Sequence, residues 1–475
     1  MYTRLLPLAV ASMLAVGTPL AAQPLRAGLD ARSATALDRY VAEPDDAYKW
    51  SVVATRQEGP LTVTVIEMTS QRWLSPKEVS KPEWRHHLTV IRPEKVESDT
   101  SLLFIGGGSN DKAEIPKTDA MLATFAARTN TIVTELRMIP NQPLEFLGDG
   151  VARKEDDLIA YGWRQFLDGG DEQWLARFPM TKAAVRAMDT VQAFAQSPEG
   201  GRRAVTKFVV SGGSKRGWTT WTTAAVDSRV VAIMPAVIDM LNLRPSFVHH
   251  WQAYGFWAPA VGDYVTHGIM DRMNEPRFEQ LLTLVEPYAY RDRLTIPKYI
   301  VNASGDQFFL PDSWQFYFGD LQGETYLRYV PNTDHSLRRS NAPEGLLAFY
   351  ASIVRGVPRP KFEWRAEKDG TLELRASTKP AKVMLWQASN ATARDFRLET
   401  IGPAWTSSEV QPGADGAYRA TLAKPEKGWT AGFLEVTFTE GYPAPVIVST
   451  GVRVVPDVLP FLPPRAGRPA TAAQP

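Results

Sequence analysis

A serine flanked by glycines follows an apolar run near the middle of the chain, where residues 208–218 read FVVSGGSKRGW. A buried strand that ends in such glycines and continues as a helix holds its serine on a strained bend. Side chains at Gly212 and Gly217 would collide with the neighbouring strand and helix. The segment departs from GxSxG because Arg216 stands where glycine is usual. It predicts Ser214 as a nucleophile, with a packing or phosphate-holding turn as the alternative.

A second glycine cluster, Gly106, Gly107 and Gly108, directly follows an early apolar run. In serine hydrolases with this kind of bend, one oxyanion N–H comes from the residue after the nucleophile and the other from such an early loop. Lys215, at the start of the helix, supplies the first in this chain. The cluster lacks the lysine and hydroxyl spacing of a nucleotide site. We therefore expect these glycines to complete an oxyanion site.

A base and an acid follow the serine in the order that this arrangement requires. His335 is the only one of the six histidines that lies beyond the last strand expected in the sheet. Asp306 follows a late apolar run and is the first candidate for the carboxylate that orients His335. Asp239, at the end of another strand, and Asp312, in the same loop as Asp306, remain alternatives.

Adjacent histidines at 86–87 and 249–250 raise the possibility of a metal site. Neighbouring side chains diverge on a helix and face opposite sides of a strand, so neither pair can hold one ion alone. The chain has no HExxH motif and no carboxylate cluster at ligand spacing. We predict no metal and no cofactor.

The elements around these residues alternate between strand and helix patterns from about residue 36 to residue 354. Apolar runs typical of strands buried on both faces occupy residues 102–105, 131–134, 208–210, 230–233 and 299–301. Residues 156–166 and 181–194 have helical spacing, the second beginning at Thr181 after a proline. The pattern predicts an α/β fold: a mostly parallel sheet with helices on both faces.

An aromatic-rich segment at about 240–295 interrupts this alternation. We interpret it as a helical insertion that caps the sheet. Trp251, Tyr254 and Trp257 are predicted to shape the acyl or alcohol pocket. A helical layer that only packs on the sheet is the alternative.

Beyond two prolines at 358 and 360, short alternating runs are separated by turn signals at 369–370 and 415–416. This pattern predicts a C-terminal accessory β-sandwich at 361–462, after a catalytic domain at 23–360. The proline- and alanine-rich residues 463–475 are predicted to be disordered.

The N-terminus predicts export. Arg4 precedes an apolar run at 5–20, and Ala21 and Ala22 follow it, as in a cleavable secretory signal at residues 1–22. The run is too short and too broken by proline and glycine to be a stable membrane anchor. The mature protein is expected in the periplasm or outside the cell.

Composition limits the remaining possibilities. A chain of 475 residues, 44% of them hydrophobic, is long enough for two folded units. Its 53 basic and 52 acidic residues nearly cancel, so nothing indicates nucleic acid as a partner, and a small-molecule or peptide substrate is expected. It contains no cysteine, so disulfides play no part.

Most of the mature chain resembles the PhoPQ-activated pathogenicity-related protein family. The most specific matching stretches lie at 178–189, 213–219, 225–230, 238–242, 297–299, 305–308 and 330–335. The resemblance implies an α/β-hydrolase-like fold and a triad of Ser214, Asp306 and His335. It implies no defined substrate.

The Ser-Lys-Arg-Gly sequence is also similar to that of carbohydrate esterases that cleave uronate esters. This similarity implies that Arg216 neutralises a charged ester or the oxyanion, and a salt bridge that anchors the helix is the alternative. Together these features predict an exported serine esterase. A peptidase or amidase of the same fold and a non-catalytic binding or signalling protein are the alternatives.

Overall fold

The computed structural model describes residues 34–111 and 114–464. The predicted signal peptide lies outside these residues, as does the predicted tail except for residues 463 and 464. The described residues include no helix long and apolar enough to cross a bilayer.

The centre of the molecule is a nine-stranded sheet. Its strands are β1 (Lys49–Glu58), β2 (Leu61–Arg72), β3 (Glu83–Pro93), β4 (Thr100–Ile105), β5 (Val133–Leu136), β6 (Lys207–Gly213), β7 (Val230–Ala236), β8 (Lys298–Ala303) and β9 (Thr325–Val330). They lie in the order β1-β2-β3-β5-β4-β6-β7-β8-β9. The pairings among β4 to β9 are parallel, and those among β1, β2, β3 and β5 are antiparallel. The predicted mostly parallel α/β sheet is therefore present.

The parallel strands are almost wholly buried because helices cover both faces of the sheet. The helices before the central insertion are α1 (Ala36–Ala42), α2 (Ala120–Thr129), α3 (Glu155–Leu167), α4 (Arg177–Gln196) and α5 (Lys215–Val226). The predicted start of α4 at Thr181 is four residues late. Pro179 lies in the first turn of α4, where a missing N–H removes no helical hydrogen bond.

Two further details differ from the expectation. β5 begins at Val133 instead of residue 131, because Asn130 ends α2 in the left-handed conformation (φ 53°) and the chain is still turning there. The antiparallel strands β1 to β3 were not predicted. Much of β1 is exposed, so its sequence lacks the apolar alternation of a half-buried strand.

The insertion after β7 is helical, as expected. It contains α6 (Leu243–Tyr254), α7 (Gly262–Thr266), α8 (Pro276–Val285) and short 3₁₀ turns at Pro259–Val261, Met270–Arg272 and Pro287–Arg293. After β9, α9 (Ala342–Val354) completes the helical layers.

Two antiparallel sheets follow. One contains β10 (Phe362–Ala366), β11 (Thr371–Ala376) and β14 (Tyr418–Thr421). The other contains β12 (Lys382–Asn390), β13 (Thr406–Glu409), β15 (Trp429–Phe438), β16 (Val446–Ser449) and β17 (Arg453–Val455). A short helix, α10 (Leu398–Ile401), precedes β13.

A short break at residues 450–452 separates β16 from β17. A Cβ at Gly451 would lie 2.1 Å from a ring atom of Trp314, so the chain passes directly against that ring. The Trp314 indole N–H also donates to the Val452 carbonyl (2.8 Å). Trp314 therefore packs against the break between β16 and β17.

A buried ion pair joins the insertion, a loop of the main sheet and the C-terminal sheets. Arg394 lies 2.5 Å from one oxygen of Asp312, and Nε2 of His249 lies 3.0 Å from the other. Burial alone would raise the pKa of Asp312, but Arg394 and His249 outweigh it and hold the pKa well below its usual range. Asp312 is thus used to hold three parts of the molecule together.

We predict that Arg394→Met lowers the free energy of unfolding by about 3–5 kcal/mol, because Asp312 is left buried without its guanidinium partner. Urea denaturation followed by tryptophan fluorescence measures this change. Lys368→Met, which removes an exposed pair with Asp457, is the control and should cost no more than about 1 kcal/mol. Equal, small losses in both variants would contradict the role given to Arg394.

Candidate active site

Ser214 occupies the sharp bend between β6 and α5. Its backbone is strained, with φ 58° and ψ −127°, conformations that L-residues rarely adopt. A Cβ at Gly212 would lie 2.8 Å from the carbonyl oxygen of Arg216, and one at Gly217 would lie 3.0 Å from that of Ala236 on β7. Both glycines are therefore needed for this bend, which places the serine at the carboxyl end of the parallel strands.

His335 and Asp306 come together on the loops that follow β9 and β8. Nδ1 of His335 lies 2.8 and 3.0 Å from the two carboxylate oxygens of Asp306. The Phe308 N–H donates to the same carboxylate (2.8 Å), and the His335 N–H donates to Oε1 of Gln307 (2.9 Å). A carboxylate accepts and does not donate, so it fixes the proton of the imidazole on Nδ1.

The other imidazole nitrogen, Nε2 of His335, is buried and has no hydrogen-bond partner among the described residues. The ring packs on Phe308, with centroids 4.3 Å apart, and Phe308 lines the same cavity as Ser214. No hydrogen bond joins Ser214 to His335 in the described part of the chain. Catalytic hydrogen bonds are often long before substrate binds.

The two alternative acids are engaged elsewhere. Asp239 accepts hydrogen bonds from the hydroxyls of Tyr317 (2.6 Å) and Tyr329 (2.5 Å). Burial raises the pKa of Asp239 to about 8, although both hydroxyls act in the opposite direction. Asp312 is held by His249 and Arg394. Asp306 is therefore the candidate acid that contacts His335.

The glycine loop contributes fewer N–H groups to an oxyanion site than the sequence suggested. The Gly106 N–H donates to the Leu136 carbonyl (2.7 Å), so it is not available. The N–H groups of Gly107 and Gly108 have no acceptor within residues 34–111 and 114–464. Lys215 is the first residue of α5, so its N–H has no acceptor within the helix.

The side chain of Arg216 anchors the bend. Its Nε donates to the Ile139 carbonyl and its Nη2 to Glu155, both at 2.6 Å. Glu155 also pairs with Nζ of Lys215 (2.9 Å) and accepts from the Gln142 amide (2.6 Å). Burial alone would raise the pKa of Glu155, but Arg216 and Lys215 lower it to about 2. These contacts favour the anchoring interpretation of Arg216 over neutralisation of a charged substrate.

The side chains of Gln142 and Arg216 connect the glycine loop to the start of α5, the two segments that form the candidate oxyanion site. Nε2 of Gln142, which binds Glu155, also donates to the Gly108 carbonyl (3.1 Å). A Cβ at Gly107 would lie 2.7 Å from Nη2 of Arg216. The glycine loop and the start of α5 are thus packed together by charged side chains.

The insertion residues that line the cavity beside Ser214 differ from the three aromatic residues that the sequence predicted. Trp257 packs against Phe247, with ring centroids 5.9 Å apart, and against Trp251. Tyr254 lies under the Arg397 guanidinium, 5.1 Å from ring to Cζ. The insertion residues that line the cavity are Met240, Leu243, Phe247, Val261 and Tyr264. Trp251, Tyr254 and Trp257 are not among the residues that line this cavity.

The paired histidines have separate environments. Nε2 of His86 lies 3.0 Å from the Ser70 hydroxyl, and burial lowers the pKa of His86 to about 4. Nε2 of His250 accepts from the Ala258 N–H (3.1 Å). In the part of the chain that the structure describes, no group of three or more His, Cys, Asp or Glu residues is arranged to hold a metal ion.

Several residues of the site were not found from the sequence. Glu155 and Asp156 both bind Lys215, and Arg177 donates to the Lys215 carbonyl (2.9 Å). The acidic run at 155–157 was a possible signal, but acidic residues are common at the start of a helix. Phe308, directly after the candidate acid, had no distinguishing pattern.

Comparisons with known proteins extend over most of the chain. A family model described as PhoPQ-activated pathogenicity-related protein matches residues 37–397. The autocrine proliferation repressor protein A of Dictyostelium discoideum is 38% identical over 456 residues, covering 90% of this chain and 92% of that protein.

Solved structures similar to the chain include esterases and a peptidase. Acetyl xylan esterase 1 of Thermoanaerobacterium sp. is 15% identical and covers 64% of this chain and 88% of its own, with a TM-score of 0.44. An acetyl xylan esterase of Paenibacillus sp. R4 is 12% identical over 67% and 91%, with a TM-score of 0.47. A puromycin-hydrolyzing peptidase of Mycobacterium tuberculosis is 14% identical over 64% and 48%, with a TM-score of 0.37. Similarity at this level says nothing of the substrate of this chain.

The raised pKa of Asp239 predicts a pH-dependent stability. Between pH 4 and pH 8 the folded protein keeps a proton that the unfolded chain releases, so this group lowers stability as the pH rises. Asp239→Asn removes that loss. The unfolding free energy of the variant relative to wild type should therefore increase from pH 5 to pH 8, as measured by urea denaturation at each pH. A difference that stays constant with pH would show that Asp239 is already ionised in the folded protein.

Proposed function

The chain belongs to the PhoPQ-activated pathogenicity-related protein family, and on this basis we propose that it is an exported serine hydrolase that cleaves a carboxylic ester. The observation that carries the proposal is the pairing of His335 with Asp306. It leaves the buried Nε2 without a hydrogen-bond partner among the described residues, on a ring that packs on Phe308, and Phe308 lines the cavity of Ser214. A serine hydroxyl needs a histidine that has one ring nitrogen held by an acid and the other available to accept the proton.

The reaction begins with proton transfer. Nε2 of His335 takes the proton of the Ser214 hydroxyl as Oγ attacks the substrate carbonyl carbon. Asp306 accepts the Nδ1–H bond throughout and stabilises the imidazolium that forms. The positive φ of Ser214 already holds the residue on the strained bend between β6 and α5, so little reorganisation precedes the attack.

The carbonyl oxygen becomes negatively charged in this step. The N–H groups of Lys215 and Gly107 are the proposed donors, with Gly108 as the further candidate in the loop. One such donor contributes about 10²–10³-fold to the rate. His335 then gives its proton to the leaving alcohol, and water, activated by the same nitrogen, releases the acyl group from Ser214.

Arg216 is assigned a supporting role. Because Glu155 and the Ile139 carbonyl occupy its guanidinium, it positions the bend and the glycine loop and does not touch the substrate. An ester substrate is proposed over an amide. A panel of p-nitrophenyl esters beside aminoacyl anilides distinguishes the two, since a peptidase of this fold would prefer the anilides.

The triad is tested by covalent labelling and kinetics. A fluorophosphonate probe should label wild type at Ser214, forming an Oγ–P bond with loss of fluoride, and Ser214→Ala should not be labelled. Asp306→Asn should lower kcat on an active ester by about 10⁴-fold because the imidazole loses its fixed tautomer.

Asp239→Asn is the matched control. It changes a buried aspartate that binds Tyr317 and Tyr329 instead of His335, and it should keep both labelling and turnover. If Asp239→Asn loses kcat and Asp306→Asn keeps it, the assignment of the acid is wrong. Unlabelled wild type would rule out an activated serine.

Export gives a separate prediction. Cleavage after Ala22 should leave Gln23 as the first residue of the mature protein, because Ala21 and Ala22 supply the small residues of a signal-peptidase site. N-terminal sequencing of protein from the periplasmic or culture fraction measures this. Recovery of the chain with its first 22 residues from the cytoplasm would contradict export.

A second function is favoured by the relative named as an autocrine proliferation repressor, which is 38% identical across nearly the whole chain. On this alternative the protein is an exported signal built on a hydrolase scaffold. Ser214→Ala separates the two. If purified wild type slows growth of the producing cells, a signal independent of catalysis would act equally well after the serine is removed.

A further inference from the structure

The cavity beside Ser214 is small. Its volume is about 40 Å³. For comparison, an apolar cavity of about 150 Å³ holds a benzene molecule, so this smaller cavity suits an acyl group with fewer carbon atoms than benzene. Acetyl, propionyl and butyryl groups meet this limit, and an octanoyl group exceeds it.

The wall is held in place by directional contacts. The Trp218 indole N–H donates to the Val285 carbonyl (2.7 Å). The ring of Trp163 packs against the rings of Trp218 and Tyr264, with centroid distances of 6.2 and 5.4 Å, respectively. The Tyr264 hydroxyl donates to Asp156 (3.1 Å). Moving any of these rings breaks a buried hydrogen bond or a packed aromatic pair.

One part of the wall is charged. Nζ of Lys215 lies 2.9 Å from Asp156, and both residues line the cavity together with Arg177. The Arg177 guanidinium also stacks over Trp218, 4.3 Å from the ring centroid. An alkyl chain that extended past this point would separate buried ions, which is costly. The rest of the wall is apolar, formed by residues such as Ile238, Leu243, Phe247 and Phe309.

We infer that this cavity receives the acyl group and that the natural substrate is an ester of a short, uncharged acid of two to four carbons. The inference depends on the proposed function. The alcohol has to leave, and water has to enter, before the acyl group is released from Ser214. A mostly enclosed cavity therefore suits the group that stays through both steps, and the alcohol lies on the exposed side of Ser214.

The test is an acyl series with one leaving group. Wild type is assayed with p-nitrophenyl acetate, butyrate and octanoate, and kcat/KM for octanoate should be at least about tenfold lower than for butyrate. A second series of acetates with methyl, benzyl and naphthyl alcohols should show a smaller spread. A spread that follows the alcohol and not the acyl group would overturn the inference.

A pair of wall variants makes the test specific. Leu243→Ala enlarges the cavity and should raise the octanoate-to-butyrate ratio of kcat/KM by about tenfold, whereas Leu243→Met keeps the volume and should leave the ratio unchanged. If Leu243→Ala does not fold, Phe247→Leu makes a milder enlargement, and thermal unfolding confirms the fold of each variant.

The two proposals fail in different ways. Equal turnover of octanoate and butyrate, with Ser214 still labelled by a fluorophosphonate, would overturn the short-acyl inference and leave the hydrolase intact. Absence of both labelling and turnover would remove the hydrolase and the inference with it.

Discussion

The orientation of one imidazole by one buried carboxylate is the interaction on which the site depends. Asp306 is almost wholly buried, and its bonds to Nδ1 of His335 fix the ring so that Nε2 is the nitrogen left without a partner among the described residues. β8 and β9 are parallel neighbours, so the loops at their carboxyl ends emerge side by side. The parallel sheet thus brings residues far apart in the chain to one edge.

The C-terminal sheets support those same loops. The Leu398 N–H donates to the Gly305 carbonyl (2.9 Å), directly before Asp306. Asn332, close to His335, exchanges two hydrogen bonds of 2.9 Å with the backbone of Trp405. The acid loop and the histidine loop are therefore both braced from the C-terminal part of the chain. That part is structurally integrated with the site and is more than an appended module.

A structural feature could be predicted from the sequence where the residues that determine it are neighbours in the chain. The bend at Ser214 was predictable because the restrictions at Gly212 and Gly217 arise within one strand-turn-helix segment. The order of Ser214, Asp306 and His335 along the chain could be compared with the order that the fold topology requires.

The contacts of Asp239 and Asp312 could not be predicted, because their partners Tyr317, Tyr329 and Arg394 are distant in the chain. Trp251, Tyr254 and Trp257 do not line the cavity beside Ser214, and an aromatic composition alone does not reveal which side chains face that cavity. The Gly106 N–H was lost to a backbone acceptor, Leu136, that only the folded sheet supplies.

A crystal structure of the protein after reaction with a fluorophosphonate tests the Ser214, His335 and Asp306 arrangement most directly. Phosphorus is expected on Oγ of Ser214, with the phosphoryl oxygen about 2.7–3.1 Å from the N–H groups of Lys215 and of Gly107 or Gly108. Nε2 of His335 should lie within about 3.2 Å of an oxygen of the adduct. An adduct on Ser214 with the imidazole turned away and another side chain between them would contradict this arrangement.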